Sequence, residues 1–460
     1  MNQSFQTKEE IKNNCLKTIF LGETYDTPFF LAASPITSIT CIKNGQFNLD
    51  IFAKKVKFLL SDKFGIGAVI LKTVYYPEEN KEGLSNTRVW KRNGNLFNTG
   101  YTPKEMLSAE ELKEFLKMDD IKSLSKKIII SLGVKSCDIA KWKELFDNLF
   151  NCNELACFKV IEINARHTLR EINELYLGDK EIDEYSINPS AQSVWNLVFE
   201  WFTLLNNIGL KKEKKIIIKL PFRSDLLILC SHINKIFQEN KKYGYQYGLK
   251  GVTLINTIKS PIEDKIKNKN IPKLLLCEEF VKLPQLSGEM LTGIRNWAIR
   301  VVKQRFKDLE ISASGGLATA EDIIEAKILG ATTFQLCTSV LINGLEKLQY
   351  EVKDNIIIKY IEQLKNFEER QKRFLVKIGQ DKTQLSERRV KEVDVTRCKK
   401  CMNCLKTFYC DAFVNKYLLY YRGKIVTING EKYYIPQRFF PKVNPDYCTG
   451  CGLCIQVCPT

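Results

Sequence analysis

The chain has 460 residues, of which 44% are apolar and 27% charged, and a formal net charge of +17. That balance is the one expected of a soluble globular protein of two or three domains, and no apolar run is long enough to span a bilayer. The excess lysines fall in mixed polar runs such as KKEKK (211–215) and NKNIPK (268–273). They form no recognisable nucleic-acid module, so no nucleic acid is expected, and the charge is expected to meet an acidic redox partner or an anionic substrate. No secretory signal is evident at the N-terminus, so the expected location is cytoplasmic.

Eight short β-branched or apolar runs follow one another along the chain: FFLAASP (29–35), GAVILKT (67–73), KIIISLG (127–133), KVIEIN (159–164), KIIIKLP (215–221), GVTLINT (251–257), LEISASGG (309–316) and TFQLCT (333–338). Most are nearly continuous in hydrophobicity, as in parallel strands buried on both faces. Segments of helical period separate them. DIAKWKELFDNLF (138–150) sets Ile139, Trp142, Leu145, Phe146 and Leu149 on one side, and AEDIIEAKILG (320–330) ends on Gly330, a C-cap candidate. Eight strands alternating with helices predict an α/β fold, a (β/α)8 TIM barrel. Periodicity alone leaves a doubly wound sheet open, and the count favours closure.

The interval after the second run holds SNTRVWKRNGNLFNTGYTP (85–103), an insertion at the carboxyl end of a strand, where a substrate loop is expected. Past the eighth run, Ile357, Ile361, Leu364 and Phe367 recur at helical spacing, and the basic stretches EERQKRF and SERRVKE read as a connector. The expected organisation is an N-terminal extension (1–24), a barrel (25–350), a helical, charged connector (351–394) and a small ferredoxin-like α+β iron–sulfur domain (395–460).

Of the 16 cysteines, eight are scattered and the rest lie between Cys398 and Cys458. Cys448, Cys451, Cys454 and Cys458 give C-x2-C-x2-C-x3-C followed by Pro459, the bacterial ferredoxin run in which three thiolates hold one cubane and the fourth holds the other. Cys398, Cys401, Cys404 and Cys410 form the first set, with a longer last gap and Asp411 in place of the proline. Cross-ligation gives one [4Fe-4S] cluster Cys398, Cys401, Cys404 and Cys458, and the other Cys448, Cys451, Cys454 and Cys410. The rival reading is zinc, which also uses C-x2-C pairs but has no need of a third cysteine at the same spacing, repeated twice.

Polar groups gather where the runs end. Lys72 and Thr73 close the second, Lys219 lies near the end of the fifth, and Asn256 and Thr257 end the sixth. Gly315 and Gly316 follow the seventh, and Cys337 and Thr338 end the eighth. Glycine-rich backbone after strands seven and eight of a barrel is a common phosphate site, because glycine lets N–H groups approach an anion closely. The fourth run continues as VIEINARHTLR (160–170) and carries one of only two histidines. The other, His232, falls in a helical pattern and is assigned no chemistry.

Taken together, the chain resembles the FMN barrel of dihydroorotate dehydrogenases, and most of all the FMN and iron–sulfur half of dihydropyrimidine dehydrogenases. The resemblance is carried by TPFFLAASPITS (27–38), GAVILKTV (67–74), IEIN (161–164), IIIKLPF (216–222), TLINT (253–257), LSG (286–288), SASGGLATAED (312–322), QLCTS (335–339) and CTGCGLCIQVCP (448–459). It implies that Ala33, Lys72, Thr73, Lys219, Gly288, Gly315, Gly316, Leu317, Cys337 and Thr338 surround FMN. Lys219 would lie near the ring, with Gly315, Gly316 and Thr338 on the phosphate. Asn164, Asn256 and Thr257 would bond the substrate.

The family's motif after the fourth strand reads roughly N-L-S-C-P, and its cysteine exchanges a proton with the substrate. Here Asn164-Ala165-Arg166-His167-Thr168 puts His167 in that place. His167 is therefore the candidate acid/base. Arg166 would depress the imidazole pKa and attract a substrate carboxylate. GVKSC (133–137) departs from the family where an asparagine would contact the pyrimidine. The implied activity uses FMN and two [4Fe-4S] clusters to oxidise or reduce a CH–CH or C=C bond beside a carbonyl, in a cyclic imide or a carboxylated substrate. A dihydroorotate-type reaction and a non-catalytic electron-transfer subunit are the alternatives. No complete G-x-G-x-x-G occurs, so NAD(P)H would enter through a partner subunit carrying FAD, or a ferredoxin would serve instead. A homodimer or hetero-oligomer is expected.

Overall fold

The computed structural model describes residues 16–38, 48–76, 88–92, 95–99, 107–134, 136–151, 155–177, 192–222, 226–259, 285–286, 288, 291–349, 355–364, 367, 371, 393–394, 396–399, 423–428, 431–436, 441 and 443. The chain divides into two compact units, Met1–Lys365 and Asn366–Thr460.

The first unit is built on eight parallel strands: β1 (Phe29–Leu31), β2 (Ala68–Ile70), β3 (Ile128–Val134), β4 (Val160–Asn164), β5 (Lys215–Leu220), β6 (Gly248–Leu254), β7 (Glu310–Ser314) and β8 (Thr333–Leu336). Each pairs with the next, and β8 pairs with β1 through Phe334–Phe29, Gln335–Phe30 and Leu336–Leu31. The circuit is closed, and the open doubly wound alternative is excluded. The apolar runs have their physical reason here. Strand residues such as Ile130, Ile161, Ile163, Ile216 and Ile218 are wholly buried against the helices, while Ile129, Val160 and Ile217, at alternate positions, face the lumen.

Ten helices are labelled among the described residues: α1 (Leu49–Leu59), α2 (Ala109–Lys117), α3 (Ile139–Phe150), α4 (Arg166–Leu177), α5 (Gln192–Lys211), α6 (Leu226–Lys242), α7 (Thr292–Arg305), α8 (Ala320–Ile328), α9 (Thr338–Asn343) and α10 (Ile356–Leu364). Four of them start on side-chain caps. Asn48 and Asp138 accept from the first turns of α1 and α3, while Ser108–Glu111 and Thr319–Asp322 form reciprocal capping boxes on α2 and α8. Helix α8 stops as its sequence requires. Gly330 takes φ +111°, its N–H donates to Lys327, and the Ala331 N–H donates to Ala326, a Schellman ending. On α3, Trp142, Leu145, Phe146 and Leu149 are buried as the period predicts, whereas Ile139, in the first turn, is half-buried. Helix α10 joins the barrel's outer ring, with Tyr360 edge-on against Phe29 at 5.1 Å and Ile357 fully buried.

A short hairpin closes the amino end of the cylinder. Thr18–Phe20 pairs antiparallel with Glu23–Tyr25 around a two-residue turn, Leu21–Gly22, in which both φ values are positive. Phe20, Leu21 and Tyr25 pack against Phe30, Ala68, Ile70, Ile129, Val160 and Ile217 on the strands. Polar clamps hold it. The Leu21 N–H donates to the Glu310 carboxylate at 2.6 Å, and Lys215 pairs with Glu23 at 2.6 Å. The insertion after β2 also forms a hairpin, Arg88–Arg92 with Asn95–Thr99, whose backbone lies against α9 and the short strand Gln285–Leu286. Its place by α9, next after β8, is at the carboxyl end of the barrel.

In the second unit, Gly423–Ile428 and Glu431–Pro436 form an antiparallel hairpin. Asp394 caps a turn by accepting from Thr396, and the Cys398 N–H donates to the Asp394 carbonyl at 2.9 Å. The Thr396 hydroxyl and N–H hold the Asp394 carboxyl below the ordinary carboxylate range. Cys398 is half-buried. Cys401, Cys404, Cys410, Cys448, Cys451, Cys454 and Cys458 lie outside the described residues.

Candidate functional site

The carboxyl ends of β5 to β8 and β1 surround a cleft. Ala33, Lys219, Asn256, Thr257, Gly288, Gly315, Gly316, Leu317, Cys337 and Thr338 all line it. Thus ten positions singled out from separate parts of the sequence meet on one surface. Lys72 and Thr73 are not in the lining; the Lys72 N–H donates to Thr37, and Thr73 shares a 2.9 Å hydrogen bond with Ser131.

At the floor of the cleft a layer of polar side chains crosses the lumen, one from each of β4 to β8. Lys219 donates to Glu162 at 3.4 Å and to the Gln335 side-chain oxygen at 3.3 Å. Gln335 donates in turn to Glu162 at 2.8 Å, Thr253 at 3.1 Å and Ser312 at 3.2 Å, and Thr253 donates to Glu162 at 3.0 Å. Glu162, Thr253 and Ser312 are completely buried. Burying a carboxylate is costly unless it is paired and hydrogen-bonded, and Glu162 is both. The network leaves Lys219 as the charged side chain that reaches the cleft.

One wall is a glycine turn. Gly315 and Gly316 have φ of +92° and +70°, and a Cβ on Gly316 would lie 2.5 Å from the Thr292 hydroxyl. Only glycine fits both the conformation and the space. The turn's carbonyls point into the protein: Thr292 donates to Gly316 at 2.9 Å and Arg295 donates to Gly315 at 2.8 Å. Ser339, also in the lining, keeps its hydroxyl buried without a hydrogen-bond partner. Burial pushes the Cys337 thiol up, against the pull of a hydrogen bond to Ser34 and of Lys219 and Lys72 nearby. Cys337 is therefore held as the neutral thiol.

A second group lies beyond Lys219, at the ends of β4 and β6. Asn164 donates to the Tyr75 hydroxyl at 3.0 Å and to Thr73 at 3.4 Å. Its carbonyl accepts from Asn256 at 3.0 Å and from the Arg166 N–H at 3.4 Å. Asn164 thus acts chiefly to aim Asn256, which lines the cleft. Arg166 donates to Thr257 at 3.3 Å. His167, in the first turn of α4, stands edge-on to Tyr75 with ring centroids 4.9 Å apart. Tyr75 reaches this position because it lies over Gly133, where a Cβ would come within 2.5 Å of its ring. Cys137 sits in the loop after β3, its N–H bonded to Glu171; burial, with the Glu171 carboxylate beside it, pushes its thiol up to about 11.

Sequence reading missed Tyr75, Gln335, Ser339 and Arg295. Ser339 belongs to the QLCTS run and carries no signal apart from its neighbours. Gln335 and Thr253 interrupt apolar strands at alternating positions, a pattern that acquires meaning once the lumen is closed. Arg295 reads as one more basic residue of an amphipathic helix.

Residues 441–460 match the 4Fe-4S binding domain family, a span that contains Cys448, Cys451, Cys454 and Cys458. No curated protein matches the chain significantly. Fold and match together define the class: an iron–sulfur protein in which a parallel (β/α)8 barrel precedes a C-terminal 4Fe-4S binding domain. A domain of this kind implies electron exchange with a partner. Among the described residues no helix is long and apolar enough to cross a membrane, and no group of three or more His, Cys, Asp or Glu side chains is placed to hold a metal ion.

Proposed function

We propose that the protein is an FMN-dependent oxidoreductase acting on a carbon–carbon bond next to a carbonyl, with electrons exchanged through two C-terminal [4Fe-4S] clusters. The observation that carries this reading is the cleft itself. It joins a lysine over a buried carboxylate, a glycine turn with inward carbonyls, and an unpartnered buried serine hydroxyl at the carboxyl ends of adjacent barrel strands. A phosphorylated ring cofactor fits that donor set, with Gly315, Gly316, Thr338 and Ser339 at its phosphate and Lys219 at its ring. Bound FMN would supply hydride transfer. Cys398, Cys401, Cys404 and Cys458 would hold one cluster and Cys448, Cys451, Cys454 and Cys410 the other.

The chain's own residues perform the rest. Asn256, aimed by Asn164, presents amide donor and acceptor atoms to a planar substrate. Thr257 adds a hydroxyl. His167, braced by Tyr75, holds or releases the proton at the carbon beside the carbonyl. Arg166, anchored on Thr257 at the same rim, favours a substrate bearing a carboxylate over an unsubstituted pyrimidine. That contact supports the dihydroorotate-type reading as the second candidate.

Anaerobic purification tests the cofactors: extracted flavin should be FMN, at one per chain, with about eight irons for two cubanes. Colourless protein without flavin would end the reading. A screen of cyclic imides and their carboxylated analogues with an artificial electron acceptor tests the substrate. Faster turnover of the carboxylated set, lost in Arg166→Gln, is the expected result.

A further inference from the structure

Arg295 is a cation with no exposed surface, and it is not accounted for by any ion pair. It projects from α7 and donates to the Gly315 carbonyl at 2.8 Å, to the Asp322 carbonyl at 3.2 Å and to the Asn296 side-chain oxygen at 2.8 and 3.1 Å. All three acceptors are neutral. The nearby carboxylates are engaged elsewhere: Asp322 closes the capping box of α8, accepting from Ala318 and Thr319, and Glu325 accepts from Asn296. Among the described residues Arg295 forms no salt bridge. Asp322 and Glu325 favour its charged form from beyond ion-pair distance, but a buried charge with no direct ion pair is costly.

The other side of the turn supplies what is missing. The Gly315 carbonyl is turned onto Arg295 and the Gly316 carbonyl onto Thr292, so the peptide units present their N–H edges to the cleft. The same wall carries Thr338 and the unpartnered Ser339 hydroxyl. Among the described residues no Asp or Glu lines the cleft. Donors in front and an unpaired cation behind describe a site for a doubly charged anion.

We propose that Arg295 is the buried counter-charge, and a positioning residue, for the phosphate monoester of the ligand seated on the Gly315–Gly316 turn. It acts through the Gly315 carbonyl: the guanidinium fixes the turn's orientation and adds its field to the turn's N–H groups. This rests on the reading of the cleft as a phosphorylated-cofactor site. Burial holds the guanidinium down to about 10, opposed by Asp322 and Glu325, so it stays charged across the physiological range, which a counter-charge must do.

The test compares FMN with riboflavin, which lacks the phosphate, by fluorescence quenching on the full chain stripped of flavin. Wild type should prefer FMN strongly. Arg295→Met should weaken FMN by about tenfold or more while leaving riboflavin affinity unchanged, and Arg295→Lys should restore most of the preference. Equal losses for both flavins, or no loss for FMN, would show a purely structural role and overturn the proposal. A thermal-shift series with inorganic phosphate against chloride at matched ionic strength gives a second readout. Phosphate should protect wild type and Arg295→Lys but not Arg295→Met, and failure to protect wild type overturns the proposal. If wild type binds neither flavin yet phosphate protects it in an Arg295-dependent way, the flavin reading fails and the anion site stands. If Arg295→Met does not fold, Arg295→Gln replaces it, and equal behaviour of the Gln and Lys variants overturns the counter-charge.

Discussion

At the scale of single residues, the site is a set of donors held in place by second partners. Asn164 is committed to Tyr75, Thr73 and Asn256, so Asn164→Ala should act through Asn256. His167→Ala removes the proposed proton carrier. Turnover is expected to fall about 10²- to 10⁴-fold, the usual range for losing an acid/base group. Substrate affinity, read from flavin absorbance on titration, should change far less; unchanged turnover would remove His167 from the mechanism. Glu310 gives a pH prediction. Burial pushes its carboxyl above the ordinary 4.5, against the Leu21 N–H and Lys303, Lys250 and Lys215. The folded chain then binds the proton more tightly than the unfolded one. Its contribution to stability is present below the unfolded value and lost as pH rises through the folded value. Glu310→Gln should remove that loss, and urea unfolding at a series of pH values should show the variant gaining on wild type as pH rises through this window.

At the scale of elements, the eight strands were legible because burial on both faces makes each one a nearly unbroken apolar run, as in Ile128–Ile130 or Ile216–Ile218. The end of α8 was legible because a left-handed residue at that position calls for Gly330. The floor hairpin was not. Its strands have three residues each, and its turn is Leu21–Gly22 in place of the Asn-Gly or Asp-Gly that advertises such a turn. The lumen layer was illegible for another reason: Glu162, Thr253, Ser312 and Gln335 come from four strands, and nothing local ties them together. Phe20→Ala tests the hairpin's role. Phe20 is 1% exposed and packs edge-to-face on Phe30 at 6.0 Å, so the change should cost about 3–5 kcal/mol in denaturant unfolding. Flavin affinity of the folded fraction should be unchanged, because the substitution lies at the opposite end of the cylinder from the cleft.

At the scale of the whole molecule, a barrel precedes a 4Fe-4S binding domain, and the two compact units divide between Lys365 and Asn366. Removing one thiolate separates their tasks. Cys451→Ser, within the matched span, should cost the protein about four irons, one cubane. Substrate should still bleach the flavin in a single turnover, while steady-state transfer to an external acceptor is lost. Retention of steady-state transfer would show that the clusters do not serve the barrel.

With the hairpin over its base and polar side chains across its lumen, the barrel receives a visitor to Lys219 from the carboxyl end.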